Sequence, residues 1–104
     1  MSIIDRFNAM IAAGQDNATL RFGLANAYLS SGDPGRAIEH FRQALVFDEG
    51  YSAAWKGLGK ALVALGDNDG AAEAYRRGIE IAEAKGDVQA AKEMKVFLKR
   101  LGNI

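Results

Sequence analysis

The chain has 104 residues, of which about half are apolar and a quarter are charged, as expected for one globular domain. Its 13 basic and 13 acidic side chains balance, so no overall field draws the chain to nucleic acid or to a membrane. The absence of cysteine excludes disulfides, a thiol nucleophile and cysteine metal sites. With no signal peptide or membrane span predicted, we expect a cytoplasmic protein.

The first segment predicts a short helix within residues 1–15. Ile3, Phe7 and Ile11 recur at helical spacing and form one apolar face. A glycine ends this helix, and either Asp16 or Asn17 can cap the next one. A second set of apolar residues at helical spacing then continues to the next glycine.

The following segments show the same residues at the starts and ends of the predicted helices. Proline at position 34 costs least in the first turn of a helix, so the dipeptide Asp33-Pro34 predicts a helix start. Asp33, Asp67 and Asp87 each follow a glycine, and N-terminal capping explains all three better than a general acid or base role. Ser52 is the predicted cap of the helix between them. Six helices in three hairpins result, with no competing β-pattern.

The chain also repeats itself at a spacing of 34 residues, which aligns residues 18–50 with residues 52–84. Gly23 corresponds to Gly57, and Asp33 corresponds to Asp67. A period of this length indicates one supersecondary unit that stacks on its neighbours, and such arrays usually bind rather than catalyse.

The large and small residues of this repeat carry a family pattern. The second copy reads Trp55, Leu58, Gly59, Leu62, Ala71, Tyr75 and Gly78. This pattern resembles the tetratricopeptide repeat, in which small residues let two helices approach and large ones fill the gaps between repeats. The resemblance implies an all-α fold, a right-handed α-α superhelix of about six antiparallel helices. It divides the single domain, residues 1–104, into a half-repeat at 1–15, repeats at 18–51 and 52–85, and a capping helix at 87–102.

The resemblance further implies that the first helix of each repeat lines a concave groove for extended peptides. The residues at the groove positions are Phe22, Asn26, Leu29, Lys56, Lys60 and Val63. Lys56 and Lys60 lie one helical turn apart, so their ammonium groups could converge on acidic side chains or a free C-terminal carboxylate. Asn26 would bond the peptide backbone. The alternative, that both lysines are ordinary solvated side chains, stays open.

We therefore predict a non-enzymatic adaptor that binds a protein or peptide, without a cofactor or metal and without nucleic acid or membrane. His40, the one histidine, is interpreted as a solvated surface residue. Two alternatives remain from the sequence. The chain could be a structural or homodimerising scaffold that pairs through the exposed face of its last or its first helix, or a small chaperone of the secretion type. Its oligomeric state would be a monomer or a weak homodimer.

Overall fold

The computed structural model describes residues 1–102, which form six α-helices and no β-strand. The predicted all-α helical repeat fold is confirmed. The helices are α1 (Ile3–Ala12), α2 (Ala18–Ser30), α3 (Pro34–Phe47), α4 (Ser52–Leu65), α5 (Asn68–Lys85) and α6 (Val88–Arg100).

Side-chain caps define most of the helix starts. Asn17, Asp33 and Asp67 each accept a backbone N–H three residues later, at 2.8, 3.1 and 2.9 Å, and Asp87 does the same at 3.2 Å. These bonds satisfy N–H groups that have no partner inside the helix. The prediction for Ser52 was wrong.

Tyr51 is the N-cap residue of α4, and its side chain makes no capping bond. Ser52 is instead the first helical residue, because the turn closed by the Tyr51 N–H on the Asp48 carbonyl (3.2 Å) ends one position earlier. Its hydroxyl is buried and has no hydrogen-bond partner among residues 1–102.

The helices lie in two layers. Each helix packs on its neighbours in the chain, and α2 also contacts α4 as α4 contacts α6. Within residues 1–102, α1, α3 and α5 make no such contacts with one another. In a curved stack the inner layer is the one whose members touch, so α2, α4 and α6 line the concave side.

Glycine permits the closest helix contacts in this stack. A Cβ on Gly57 would clash with the ring of Phe41, and a Cβ on Gly59 would clash with the ring of Tyr75. Phe41 and Tyr75 are in turn among the largest fully enclosed side chains. Small residues opposite large rings thus set the spacing between α3, α4 and α5, as in any close-packed interior.

The predicted segment limits can be compared with these helices. Helix α1 lies within residues 1–15, α2 and α3 within 18–51, and α4 and α5 within 52–85. Helix α6 lies within 87–102, and its end is followed by Gly102 with a positive φ of 80°. The predicted domain end at residue 104 falls outside the described residues. The division into repeats remains our proposal.

Candidate peptide-binding groove

The concave side carries the six predicted groove residues at unequal depth. Asn26, Lys60 and Val63 are exposed on α2 and α4. Phe22, Leu29 and Lys56 are half-buried. The exposed three are free to contact a ligand, whereas the other three have structural contacts that the sequence pattern did not indicate.

Phe22 belongs to the packing between α2, α3 and the start of α4. Its ring centroid lies 4.9 Å from that of Tyr51 and 5.9 Å from that of Phe41, the latter in an edge-to-face arrangement. Aromatic pairs at these distances contribute to packing beyond their buried area. Leu29 also packs against the core. Both residues therefore form the floor of the groove more than its contact surface.

Lys56 is already neutralised from within the chain. Its Nζ lies 3.0 Å from a carboxylate oxygen of Glu93 on α6, and both side chains are partly buried. An ammonium group held this way is less available for a ligand carboxylate. The structure therefore does not bring Lys56 and Lys60 together as a free anion-binding pair.

Lys60 faces a different group on α6. Its Nζ lies 5.7 Å from the ring centroid of Phe97, and the guanidinium of Arg100 lies at the same distance from that ring. Cations at this distance are attracted by the ring quadrupole. Neither cation forms a salt bridge with a carboxylate among residues 1–102. Two positive charges therefore flank one aromatic ring on the concave side.

These groups surround a cavity of about 280 Å³ between α4 and α6. We call this cavity the α4–α6 cup; its lining consists of Lys60, Val63, Tyr75, Phe97, Arg100 and Leu101. Burial raises the pKa of Tyr75 to about 12, so its hydroxyl stays neutral at physiological pH. An apolar interior with cations at its rim suits a hydrophobic side chain next to a carboxylate.

Sequence reasoning missed the α6 side of this cup. Helix α5 has 18 residues where α3 has 14, so α6 starts 36 rather than 34 positions after α4 (88 − 52). When the starts of α4 and α6 are aligned, the three groove positions of α4 correspond to Lys92, Val96 and Lys99, so neither Phe97 nor Arg100 occupies a groove position. The turn Gly86-Asp87, which repeats Gly66-Asp67, carried the signal that a third inner helix begins at residue 88.

His40 is not the solvated residue that the sequence suggested. It is half-buried, its ring stacks on Tyr28 with centroids 5.4 Å apart, and its Nδ1 lies 3.0 Å from Arg21. Burial and the adjacent Arg21 charge lower the pKa of His40. Arg21 also binds both carboxylate oxygens of Asp16, at 2.8 and 2.7 Å, and this bond lowers the pKa of Asp16.

Two other kinds of site are not formed by the described residues. Within residues 1–102, no three histidine or acidic side chains are grouped as metal ligands would be. None of the described helices is both long and apolar enough to cross a membrane. The concave side thus remains the best-formed candidate site of the described chain.

Comparison with known proteins places this geometry in a family. The tetratricopeptide repeat profile matches residues 4–52 and 22–85, which together span most of the chain. The chain belongs to the tetratricopeptide repeat family. A TPR repeat-containing protein of Pseudomonas aeruginosa is 50% identical over 99 residues, which cover 95% of this chain and 94% of that protein. The family generally mediates protein–protein interaction, and the match indicates no catalytic family.

Two further proteins are similar to this chain, one in its whole structure and one in part of its sequence. The solution structure of a Bordetella parapertussis protein superimposes with a TM-score of 0.88 at 45% identity, covering 98% of this chain and 89% of that one. A heat-shock protein cognate co-chaperone of Aspergillus fumigatus is 38% identical over 97 residues. Those residues are 93% of this chain but only 28% of the co-chaperone.

Proposed function

We propose that this chain is a non-enzymatic interaction module that holds an acidic peptide segment on its concave side. An apolar side chain of the peptide enters the α4–α6 cup, and a neighbouring carboxylate lies between Lys60 and Arg100. That carboxylate belongs to an acidic side chain or to a free C-terminus. The observation that carries this proposal is the pair of cations beside Phe97, each 5.7 Å from the centroid of its ring, without salt-bridge partners among the described residues.

The remaining predicted residues extend the track from this cup. Val63 lines the cup itself, and it is 40% exposed, so it offers apolar contact at the surface. Asn26 is exposed on the adjacent inner helix and carries both a donor and an acceptor for a peptide backbone. Lys56 contributes less, because Glu93 already neutralises it. Phe22 and Leu29 support the floor from the core.

The co-chaperone relative favours a protein ligand over other classes, since nearly the whole of this chain aligns with one part of that larger protein. The balanced charge of the chain disfavours nucleic acid. A cytoplasmic place of action agrees with the absence of cysteine and remains a prediction.

Binding of a defined peptide tests the proposal. The probe is a fluorescein-labelled peptide with two glutamates before a C-terminal leucine, prepared as the free acid and as the amide. We expect the chain to bind the free acid, with affinity that falls as salt rises, because the contact pairs opposite charges. Replacing Lys60 and Arg100 by glutamate (K60E with R100E) should weaken binding at least about tenfold.

A matched control is available on the same helix. Lys92 and Lys99 are exposed on α6 and do not line the cup. The K92E and K99E double variant changes net charge by the same amount and should bind within about twofold of the unaltered chain. Equal losses in both double variants, or no binding of either peptide by the unaltered chain, would contradict the proposed site.

A further inference from the structure

The two ends of the helix stack differ in the surface that they expose, and α1 forms the N-terminal end. This helix has an apolar face, yet none of its residues is buried. Ile3 is 59% exposed, Met10 is 43% exposed, and Phe7 is partly exposed. In register with the repeat, α1 corresponds to the second helix of a repeat. Among residues 1–102, α2 is the one helix that contacts α1, and it leaves part of the apolar face of α1 exposed.

The uncovered face opens into a trough. One cavity of about 890 Å³ and another of about 620 Å³ lie along the α1–α2 pair, and Phe7 and Gly23 line both. We call this trough the N-terminal furrow; its apolar lining includes Ile3, Phe7, Met10, Leu20 and Ala27. Asn26, which belongs to the proposed peptide track, also lines the furrow. Asp16 is the one ionisable side chain among the lining residues, and Arg21 neutralises it. The furrow therefore fits an apolar helix face, and not a charged one.

The opposite end is closed to a further helix. Counting from the starts of α4 and α6, Lys95 occupies the place of Gly59, where the packing of α5 requires a glycine. Lys95 is exposed and forms a salt bridge with Glu83 at 2.7 Å. Lys92 and Lys99 are exposed on the same helix. Val88 and Val96 are also exposed on α6, but the three lysines interrupt this apolar surface, as polar residues do at the end of a repeat array.

We propose that the N-terminal furrow is covered by the same furrow of a second copy, with the two α1 helices packed across a twofold axis. An isolated α1 is the kind of helix that the furrow lacks: amphipathic, short, and apolar at Ile3, Phe7 and Met10. A twofold contact covers the furrows of both copies at once, and its closed symmetry limits the assembly to a dimer. Head-to-tail growth is disfavoured because the α6 end presents Lys92, Lys95 and Lys99 to the apolar furrow.

The area of the contact between the two furrows limits the affinity of the proposed dimer. Helix α1 has 10 residues and is thus about 15 Å long, and a pair of helices is about 20 Å wide, so the footprint is about 300 Å². Stable complexes bury about 800 Å² per partner. We therefore expect a reversible dimer with a dissociation constant between about 10 µM and about 1 mM.

Sedimentation equilibrium of the full chain over about 10 µM to 1 mM tests the proposal, a range chosen from the expected affinity. The average mass should rise from 11.1 kDa towards twice that value. Replacing two exposed furrow residues by lysine (I3K with M10K) should keep the mass at that of one chain. The control replaces Val46 and Leu65, exposed to 79% and 57% on α3 and α4, by lysine (V46K with L65K) and should dimerise as before.

Amide NMR spectra recorded over the same dilution series locate the contact. Signals from α1 and from Leu20 and Gly23 should shift, while those of Lys60 and Phe97 stay constant. A chain that is monomeric at about 1 mM, where the expected affinity requires dimer, overturns the proposal. So does a dimer that I3K with M10K leaves intact, or one whose shifts map to the α4–α6 cup. The K60E and R100E variant should dimerise normally, so failure of the peptide site does not affect this test.

Discussion

The same pair of residues occurs at two junctions of the stack, with different surroundings. Phe7 of α1 lies over Gly23 of α2, and 34 positions later Phe41 of α3 lies over Gly57 of α4. Phe41 is completely buried, whereas Phe7 is half-buried and lines two open cavities. Phe22 covers Phe41 from one side, and no described residue does this for Phe7. The burial of a residue in a repeat protein therefore depends on the next layer as much as on its own position.

Replacing Gly23 or Gly57 by alanine should show the largest effect of this difference in confinement between Phe7 and Phe41. Both substitutions gain the same helix propensity, about 1 kcal/mol, so the difference between them reports the cost of moving the ring. At Gly23 the new Cβ would lie 2.8 Å from the tip of Phe7, which can turn into the open furrow. At Gly57 the ring of Phe41 is enclosed, and overpacking of this kind costs about 1–3 kcal/mol.

We therefore expect G57A to lower the free energy of unfolding by at least about 1 kcal/mol more than G23A does. Urea denaturation of the two variants and of the unaltered chain gives these values directly. Equal destabilisation by both substitutions would mean that Phe7 is as confined as Phe41. In that case the N-terminal junction is not open in solution.

The first repeat also differs from the second at one inner position, where Arg21 corresponds to Trp55. Arg21 joins Asp16 to His40, and with burial it lowers the pKa of His40 below 6.5. An unfolded chain then binds the proton more readily than the folded one. Stability should accordingly fall as the pH drops from 6.5 through the lower pKa of the folded state.

This effect is smaller than that of the glycine substitutions, because His40 is only half-buried. The one histidine gives a single ring C–H resonance, so an NMR titration of the folded chain reads its pKa without ambiguity. We expect H40Q to remove the loss of stability between pH 7 and pH 5. We expect R21M to raise the pKa of His40. A midpoint above 6.5 in the unaltered chain would contradict the contact with Arg21.

The sequence predicted the helices because their signals are local. The Gly-Asp turns and the caps at Asn17, Asp33 and Asp87 act within three residues along the chain. The prediction that Ser52 caps α4 was wrong because this serine, although a residue type that often caps helices, is buried in the first turn of the helix.

The candidate site could be predicted only in part, because its groups come from helices of different repeats. Lys60 and Val63 were found from the repeat register on α4. Phe97 and Arg100 were not, since aligning the starts of α4 and α6 carries the groove positions to Lys92, Val96 and Lys99 instead. The neutralisation of Lys56 by Glu93 joins residues 37 positions apart, and no local pattern indicates such a pair.

Amide hydrogen exchange at Gly23 and Gly57 tests most directly whether the two junctions differ in solution. Each glycine is the sixth residue of its helix, so both N–H groups lie at the same place in the backbone pattern. In dilute solution, Gly57 should exchange only on global unfolding, and Gly23 should exchange at least roughly tenfold faster through local opening of α1. Equal protection of the two amides at low concentration would contradict an open N-terminal furrow.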